Sequence, residues 1–163
     1  GLSIAPLQGP LVDCHAHVWE AGMPFVSSAW IRPDYVYSAE DFLADLDRSG
    51  IGYGVIAAAS LFGTYNDYTI RTLRKHQRLR GTAILDVDTG MFELERMRAE
   101  GIVGARLQWF MLDPLPDLAG DAWQRLLHRL RGPRTVGRIR SGPAGAVRGR
   151  PGAVGQRFAL RRP

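Results

Sequence analysis

The feature that most constrains the fold of this chain is a repeated pattern between residues 8 and 130. A short apolar run followed by an amphipathic segment occurs there four times. Each apolar run has the length of a buried strand, and each following segment carries apolar residues at helical spacing. Strands that alternate with helices in this way form parallel sheets with crossover helices. The sequence therefore predicts an α/β protein, either an open doubly wound sheet or half of a (β/α)8 barrel.

The predicted elements follow one another closely. Ser38-Ala-Glu-Asp41 is a capping box, which predicts that the first helix begins at Ala39. Thr89 is the predicted cap of the third helix, which places Phe92 on its inward face. We expect buried strands at residues 11–18, 51–59, 82–87 and 102–108, and helices at 39–49, about 66–76, 89–100 and from 121 onward.

Polar and ionisable residues stand where each predicted strand ends: His15 and His17, Ser60, Asp86 and Asp88, and Arg106 with Gln108. Barrel enzymes build their active sites from side chains at this end of the strands. A glycine-rich phosphate loop of the type that binds dinucleotides does not follow the first strand. These two observations favour the TIM-barrel-like interpretation, as an incomplete half-barrel of four parallel strands.

His15 and His17 form the most informative pair in the sequence. Side chains alternate faces along a strand, so these two imidazoles point the same way and Cys14 points the other way. Two imidazoles on one face are placed to bind a metal ion or an anionic substrate, although two surface histidines would give the same pattern. We expect Cys14, on the opposite face, to act as a small buried apolar residue.

Composition favours an ordinary globular protein in the cytoplasm. The single cysteine excludes an internal disulfide framework and is typical of a reducing compartment. A run of about 20 apolar residues, as a membrane helix requires, is absent from the sequence. A secretory signal is also not visible at the N-terminus. We therefore expect a cytoplasmic protein without a membrane partner.

Residues 131–163 differ from the rest in kind. They hold nine arginines and no acidic residue, and they account for the net charge of +5. Arg, Gly and Pro dominate without apolar periodicity, which predicts disorder. An Arg/Gly-rich tail is able to bind nucleic acid through phosphates, whereas GC-rich DNA translated out of frame would give the same composition. The second interpretation is favoured, because Phe158 is the one aromatic residue and Arg-Gly-Gly repeats are missing.

Three segments of the chain resemble the amidohydrolase superfamily, specifically the amidohydrolase-2 branch of TIM-barrel metal-dependent hydrolases that includes 2-pyrone-4,6-dicarboxylate lactonases. Residues 13–19, Asp-Cys-His-Ala-His-Val-Trp, are similar to the strand-one His-x-His signature. Residues 60–66, Ser-Leu-Phe-Gly-Thr-Tyr-Asn, are similar to the strand-two loop, and residues 101–108 to the strand-four segment that bears an arginine. Phe62, Tyr65 and Gln108 depart from the residues that are usual there.

The resemblance implies a hydrolase that acts on a carbonyl centre of a small carboxylated substrate, a lactone, ester or amide, with decarboxylation as a further option. His15 and His17 would be catalytic residues and metal ligands. The implied cofactor is a divalent ion, zinc above all, although some relatives are metal-independent. Arg106, Ser60 and Asn66 would bind the substrate.

The resemblance covers about residues 10–130. We therefore expect a partial barrel domain at residues 1–130 and a tail at 131–163. The remaining ligands of the family come from later strands, so a truncated, non-catalytic fragment is the main alternative, and a nucleic-acid-binding protein is another. A half-barrel also leaves its first and fourth strands as unpaired edges. We therefore expect marginal stability alone, or a homo-oligomer formed through those edges.

Overall fold

The structure, a computed structural model, describes residues 9–109 and 112–131. Its four strands form one sheet in the order β1-β2-β3-β4, and every neighbouring pair is parallel. The predicted sequence of four parallel strands with alternating helices is confirmed. The elements are β1 (Val12–Ala16), α1 (Ala39–Arg48), β2 (Tyr53–Ile56), a one-turn 3-10 helix (Ser60–Phe62), α2 (Asp67–Lys75), β3 (Leu79–Ala83), α3 (Met91–Ala99), β4 (Ile102–Ala105) and α4 (Asp121–Arg131).

Two predictions about the C-terminal tail, its disorder and its out-of-frame origin, concern residues that lie almost entirely outside the described part. The two predictions are made for residues 131–163. Arg131 is the last residue of α4, and residues 132–163 lie outside the described part. Within the described part, no helix is both long enough and apolar enough to cross a lipid bilayer.

The core lies between one face of the sheet and the helices. Two strand glycines allow this close packing: a Cβ at Gly54 would lie 2.6 Å from Cε1 of Phe42 on α1, and one at Gly81 would lie 2.8 Å from Cγ2 of Thr69 on α2. Gly54 and Gly81 face the same side, because each is paired across the sheet with a buried residue of that layer. The core cluster consists of Val18, Ala39, Phe42, Leu46, Ile56, Tyr68, Ile70, Leu73, Leu79, Ala83, Met97 and Ile102.

The second face of the sheet, here called the open face, carries Val12, Tyr53, Val55 and Val103. Val12 is 53% exposed, Tyr53 47% and Val103 56%, and Val55 is half-buried. The expectation that the first strand is buried is therefore wrong. β1 is an edge strand, and within the described residues its open face has no second layer to pack against.

The capping box predicted for α1 is confirmed. Ser38 Oγ accepts a hydrogen bond from the Asp41 backbone N–H at 3.1 Å, and Asp41 Oδ2 accepts one from the Ser38 N–H at 2.8 Å. Tyr68 Oη on α2 accepts a further hydrogen bond from the Ala39 N–H at 2.9 Å. The first turn of α1 is thus fixed both by its own side chains and by its neighbour.

Three local predictions are wrong. β3 spans Leu79–Ala83 instead of 82–87, because fully buried Leu79 and Ala83 alternate with Arg80, whose charge hides the start of the strand in the sequence. The N-cap of α3 is Gly90, without a side-chain hydrogen bond, and Thr89 is buried instead of capping. Phe92 is 81% exposed, so α3 contacts the core chiefly through Met97.

A side chain at position 54 is expected to destabilise the fold. In Gly54→Ala the new Cβ would lie 2.6 Å from Cε1 of Phe42, whose ring is held between α1 and the sheet. Overpacking of this kind costs about 1–3 kcal/mol of unfolding free energy, which urea denaturation would measure. Gly104→Ala is the matched control, because its Cβ would meet only Cγ2 of Thr82 at 3.6 Å. Equal destabilisation by both substitutions would contradict the packing argument.

The ion pair between α1 and α2 predicts a specific pH dependence. Lys75 Nζ lies 2.7 Å from Glu40 Oε1, and this hydrogen bond, first among several causes, lowers the pKa of Glu40 from 4.5 to about 2. Because the pKa of Glu40 is lower in the folded protein than in the unfolded chain, its ionisation stabilises the folded protein at pH values above about 4.5. This stabilisation is lost as the pH falls from about 4.5 toward 2. In Glu40→Gln the stability deficit relative to wild type should shrink between neutral pH and pH ~3.

Urea unfolding midpoints at the two pH values would measure this change. The exposed Glu95→Gln serves as control. A Glu40→Gln deficit that stays constant with pH would show that the Lys75 pair does not act through the ionised carboxylate.

Candidate functional site

The candidate site lies where the carboxyl ends of β1, β2 and β4 meet. Backbone hydrogen bonds continue the sheet past the ends of the strands: the Ala57 N–H donates to Ala16 O at 2.8 Å, and the Arg106 N–H donates to Ala83 O at 2.8 Å. Because parallel strands end at one edge of the sheet, this pairing carries His17 and Arg106 to the same rim. The position of the site therefore follows from the sheet itself.

His17 is half-buried and held by a backbone carbonyl. Its Nδ1 lies 2.8 Å from Ala57 O. A carbonyl oxygen only accepts, so Nδ1 carries the hydrogen, and in the neutral ring Nε2 keeps its lone pair. Burial lowers the pKa of His17 most; the Ala57 hydrogen bond raises it, and the charges of Arg106 and His15 lower it again. The net lowering favours the neutral ring.

Arg106 is the cation of the site. Its Nη1 donates to Ala58 O and lies 3.4 Å from His17 Nε2, while Nη2 lies 3.4 Å from Gln108 Oε1. Partial burial lowers the pKa of the guanidinium, which still stays charged because its ordinary value is far above neutral. These contacts engage three of its five N–H donors, and the other two have no hydrogen-bond partner among the described residues.

The two residues that follow β2 thus hold both side chains through their backbone carbonyls: Ala57 O contacts His17, and Ala58 O contacts Arg106. The Ala58 N–H in turn donates to Thr82 Oγ1 at 3.0 Å. Sequence reasoning missed all three positions. The alanines act through their backbone and leave no chemical signal in the sequence, whereas Thr82, a hydroxyl inside an apolar strand, was a signal that could have been used.

His15 lies beside His17, with ring centroids 5.0 Å apart and the rings edge to face. The strand is irregular here: Asp13 pairs with Gly54 and Ala16 with Ile56, so Cys14 and His15 together stand opposite one residue. The His15 backbone N–H donates to Asp13 Oδ1 at 3.0 Å. Cys14 is exposed, and its prediction as a buried residue is wrong because the irregularity interrupts strict alternation on an edge strand.

Asn66 is buried and joins two loops of this rim. Its Nδ2 donates to Thr64 O and to Ile84 O, both at 3.0 Å. It occupies the N-cap position of α2 without a side-chain capping hydrogen bond. Its two amide hydrogens are thus engaged with backbone, and its predicted contact with substrate stays a prediction.

Ser60 starts the 3-10 helix after β2, and its carbonyl accepts from the Gly63 N–H at 3.1 Å. The following loop is in contact with the loop after β1, since the Val26 N–H donates to Leu61 O at 2.9 Å. Ser60 therefore borders the rim through its backbone, and its predicted role toward substrate also stays a prediction.

The residues present provide part of a metal site. His15 and His17 are suitable zinc ligands, but a catalytic zinc takes about three protein ligands. Among the described residues, no group of three or more His, Cys, Asp and Glu side chains is placed to hold a metal ion. His17 Nδ1 is engaged with Ala57, and a guanidinium cation faces Nε2. Nε2 is thus the ring nitrogen of His17 that is left for a metal ion, and Arg106 would have to move away for a cation to bind there.

The other candidate ligands lie elsewhere. Asp86 and Asp88 are exposed in the segment after β3, and His128 is exposed on α4. His76 lies at the end of α2, where its Nε2 is 3.3 Å from Glu40 Oε1.

Comparison with known proteins agrees with the fold. The family model described as Amidohydrolase matches residues 12–132. A probable 2-pyrone-4,6-dicarboxylic acid hydrolase from Acinetobacter baumannii, solved with citric acid bound, is 33% identical, with a TM-score of 0.71 over 74% of this chain and 45% of that one. A Pseudomonas putida protein provisionally described as the same hydrolase is 34% identical, with a TM-score of 0.67 over 76% of this chain and 45% of that one.

A protein of Agrobacterium tumefaciens is 23% identical and agrees in fold, with a TM-score of 0.60 over 74% of this chain and 44% of that one. No similar protein was found among curated proteins. The chain thus spans less than half the length of the solved structures it matches. Because the family match covers β1 to α4, the chain belongs to the amidohydrolase-2 family and has the α/β fold of part of its TIM barrel.

Proposed function

We propose that this chain provides part of the active site of a hydrolase that acts on a carbonyl centre of a small carboxylated substrate. The single observation that carries the proposal is the contact between Arg106 and neutral His17 at the carboxyl ends of the strands. A cation and a nitrogen lone pair, adjacent and half-buried, are suited to binding an anionic oxygen and to accepting a proton.

Arg106 would bind the substrate through its two remaining N–H donors. A guanidinium matches a carboxylate in shape and charge, and partial burial strengthens the interaction by excluding water. The contact from Arg106 Nη1 to His17 Nε2 is long, at 3.4 Å. A carboxylate that draws the guanidinium away would leave Nε2 unpartnered, so that substrate binding would free His17 to accept the proton of an attacking water.

The proteins that resemble this chain support the substrate class. Two are described as hydrolases of a pyrone dicarboxylic acid, and one was solved with citric acid, a tricarboxylic acid. Cations bind carboxylated ligands of this kind, and Arg106 is the cation of the candidate site. Lactone, ester and amide bonds all present the carbonyl that the reaction would require.

Metal assistance stays a prediction. A divalent ion would polarise the carbonyl and lower the pKa of bound water, but such a site would need ligands beyond His15 and His17. The reaction described above for Arg106 and His17 does not use a metal ion.

Citrate binding tests the role of Arg106 directly. We expect Arg106→Ala to weaken citrate binding by about tenfold or more, since hydrogen bonds to charged groups contribute about 1.5–3 kcal/mol. Titration calorimetry at fixed ionic strength would measure this change. Arg98→Ala, on the exposed side of α3, removes the same charge and should leave the affinity unchanged. Equal loss in both variants would indicate general charge attraction instead of a defined site.

Zinc binding and turnover test the incomplete donor set. We expect the 163-residue chain to bind zinc weakly, to lose that binding in His15→Ala or His17→Ala, and to show no detectable hydrolysis of lactone or amide substrates. Equilibrium dialysis and an assay for ring opening would measure both. Turnover that disappears in His17→Ala would contradict the incomplete donor set and would point to further ligands, with Asp86 and Asp88 as the first candidates.

A further inference from the structure

The peptide group that joins Ala57 to Ala58 is bonded on both of its sides by side chains. Its C=O, which belongs to Ala57, accepts a hydrogen bond from His17 Nδ1 at 2.8 Å. Its N–H, which belongs to Ala58, donates to Thr82 Oγ1 at 3.0 Å. A peptide group is planar and trans, so its C=O and its N–H point in opposite directions. Whatever fixes the direction of the Ala58 N–H therefore also fixes the direction of the carbonyl that His17 contacts.

The hydroxyl of Thr82 takes the place of a backbone acceptor. The Gly54 N–H donates to Arg78 O at 3.1 Å, in the regular pattern of the parallel strands β2 and β3. The same register, continued by four residues, would place the Ala58 N–H opposite the carbonyl oxygen of Thr82. The pairing of β2 with β3 ends at Ile56, however, and the Ala58 N–H donates to the Thr82 hydroxyl. The peptide group beyond the strand is thus oriented by a side chain, which a substitution is able to remove.

The side chain of Thr82 is itself held in place by packing. Thr82 is half-buried on β3 and is paired with Gly104 of β4. Its Cγ2 lies 3.6 Å from the point that a Cβ of Gly104 would occupy, so the methyl group packs against the glycine backbone. Branching at Cβ restricts χ1, and the position of the methyl group therefore also sets that of the hydroxyl. Thr82 provides a fixed acceptor for the Ala58 N–H.

We propose that Thr82 is a positioning residue for His17 and that it acts through the Ala57–Ala58 peptide group. Its hydroxyl directs the Ala57 carbonyl oxygen at Nδ1 of His17, which keeps the hydrogen on Nδ1 and the lone pair on Nε2. This inference rests on the function proposed above, in which Nε2 accepts the proton of an attacking water. Thr82 need not contact the substrate to have this effect.

Two physical effects link the hydroxyl to the histidine ring. Hydrogen bonds in series polarise one another, so the bond from the Ala58 N–H to Thr82 makes Ala57 O a stronger acceptor. Ala58 is also buried, and without the hydroxyl its N–H would turn toward another acceptor, because a buried N–H left unpaired is costly. The neutral ring of His17 carries its hydrogen on either nitrogen. A strong and well-directed acceptor at Ala57 favours Nδ1.

The tautomer of His17 is the direct readout. Long-range proton–nitrogen correlation spectra distinguish a neutral ring with its hydrogen on Nδ1 from one with its hydrogen on Nε2, and His17→Gln identifies the signals of this ring. The spectra are recorded on the 163-residue chain, with a chelator present, at a pH where the ring is neutral. We expect the Nδ1–H form to dominate in wild type. Thr82→Val keeps the branched shape and removes the hydroxyl, and it should lower the ratio of Nδ1–H to Nε2–H by about threefold or more.

Two controls separate the hydroxyl from packing. Thr82→Ser retains the hydroxyl and should keep the ratio of wild type. Thr69→Val removes a hydroxyl from α2, beside Gly81 on the other face of β3, and should also keep the ratio. If Thr82→Val does not fold, Thr82→Ser and Thr82→Ala form a second pair that differs only in the hydroxyl, and the ratio should fall in the alanine variant alone.

An unchanged ratio in folded Thr82→Val, or an equal fall in Thr82→Ser, overturns the positioning role. Lower stability of Thr82→Val in urea with an unchanged ratio would assign a purely structural role to Thr82 and would also overturn it. Failure of the proposed function has a different signature. Citrate binding that does not depend on Arg106 would contradict the proposed function and leave the tautomer ratios as they are.

Discussion

Parallel pairing of the strands is the constraint on which the rest of this structure depends. It aligns the carboxyl ends of β1, β2 and β4 at one edge, and it brings together residues that are 89 positions apart, His17 and Arg106. The pairing requires that the helices pack close on one face, and Gly54 and Gly81 make room for Phe42 and Thr69 there. Site geometry and core packing are thus two results of one arrangement of backbone.

The chemistry of the rim follows from which hydrogen-bonding groups of His17 and Arg106 are already engaged with backbone carbonyls. Ala57 O fixes the proton on His17 Nδ1, and Ala58 O takes one N–H of Arg106. What is left, a lone pair facing a guanidinium at 3.4 Å, is a weak contact between two groups that both interact more strongly with an anion or a proton. The proposed function depends on this weak contact, because a carboxylate bound to Arg106 would leave Nε2 of His17 free.

The fold was predictable because its signal is periodic. The alternation of apolar runs and amphipathic helices predicts four parallel strands, and the Ser38 capping box gives the start of α1. The limits of β3 were not predictable, since the charge of Arg80 interrupts its pattern. At the site, His15, His17 and Arg106 stand out by chemistry, whereas the contributions of Ala57 and Ala58 come from backbone atoms that every residue possesses. Burial of Cys14 was misjudged because an irregularity in β1 has no sequence signature.

The site depends on the backbone carbonyl oxygens of Ala57 and Ala58, and this limits what substitutions at these two positions can change. A substitution at position 57 or 58 changes the side chain but keeps the backbone carbonyl oxygen. Both residues are already alanine, so an alanine scan does not test either of them. Genetic variation can tune how tightly these oxygens approach, by changing the size of the neighbouring side chains, but it cannot remove them. Substitutions therefore change the shape of the support and leave its hydrogen-bonding atoms intact.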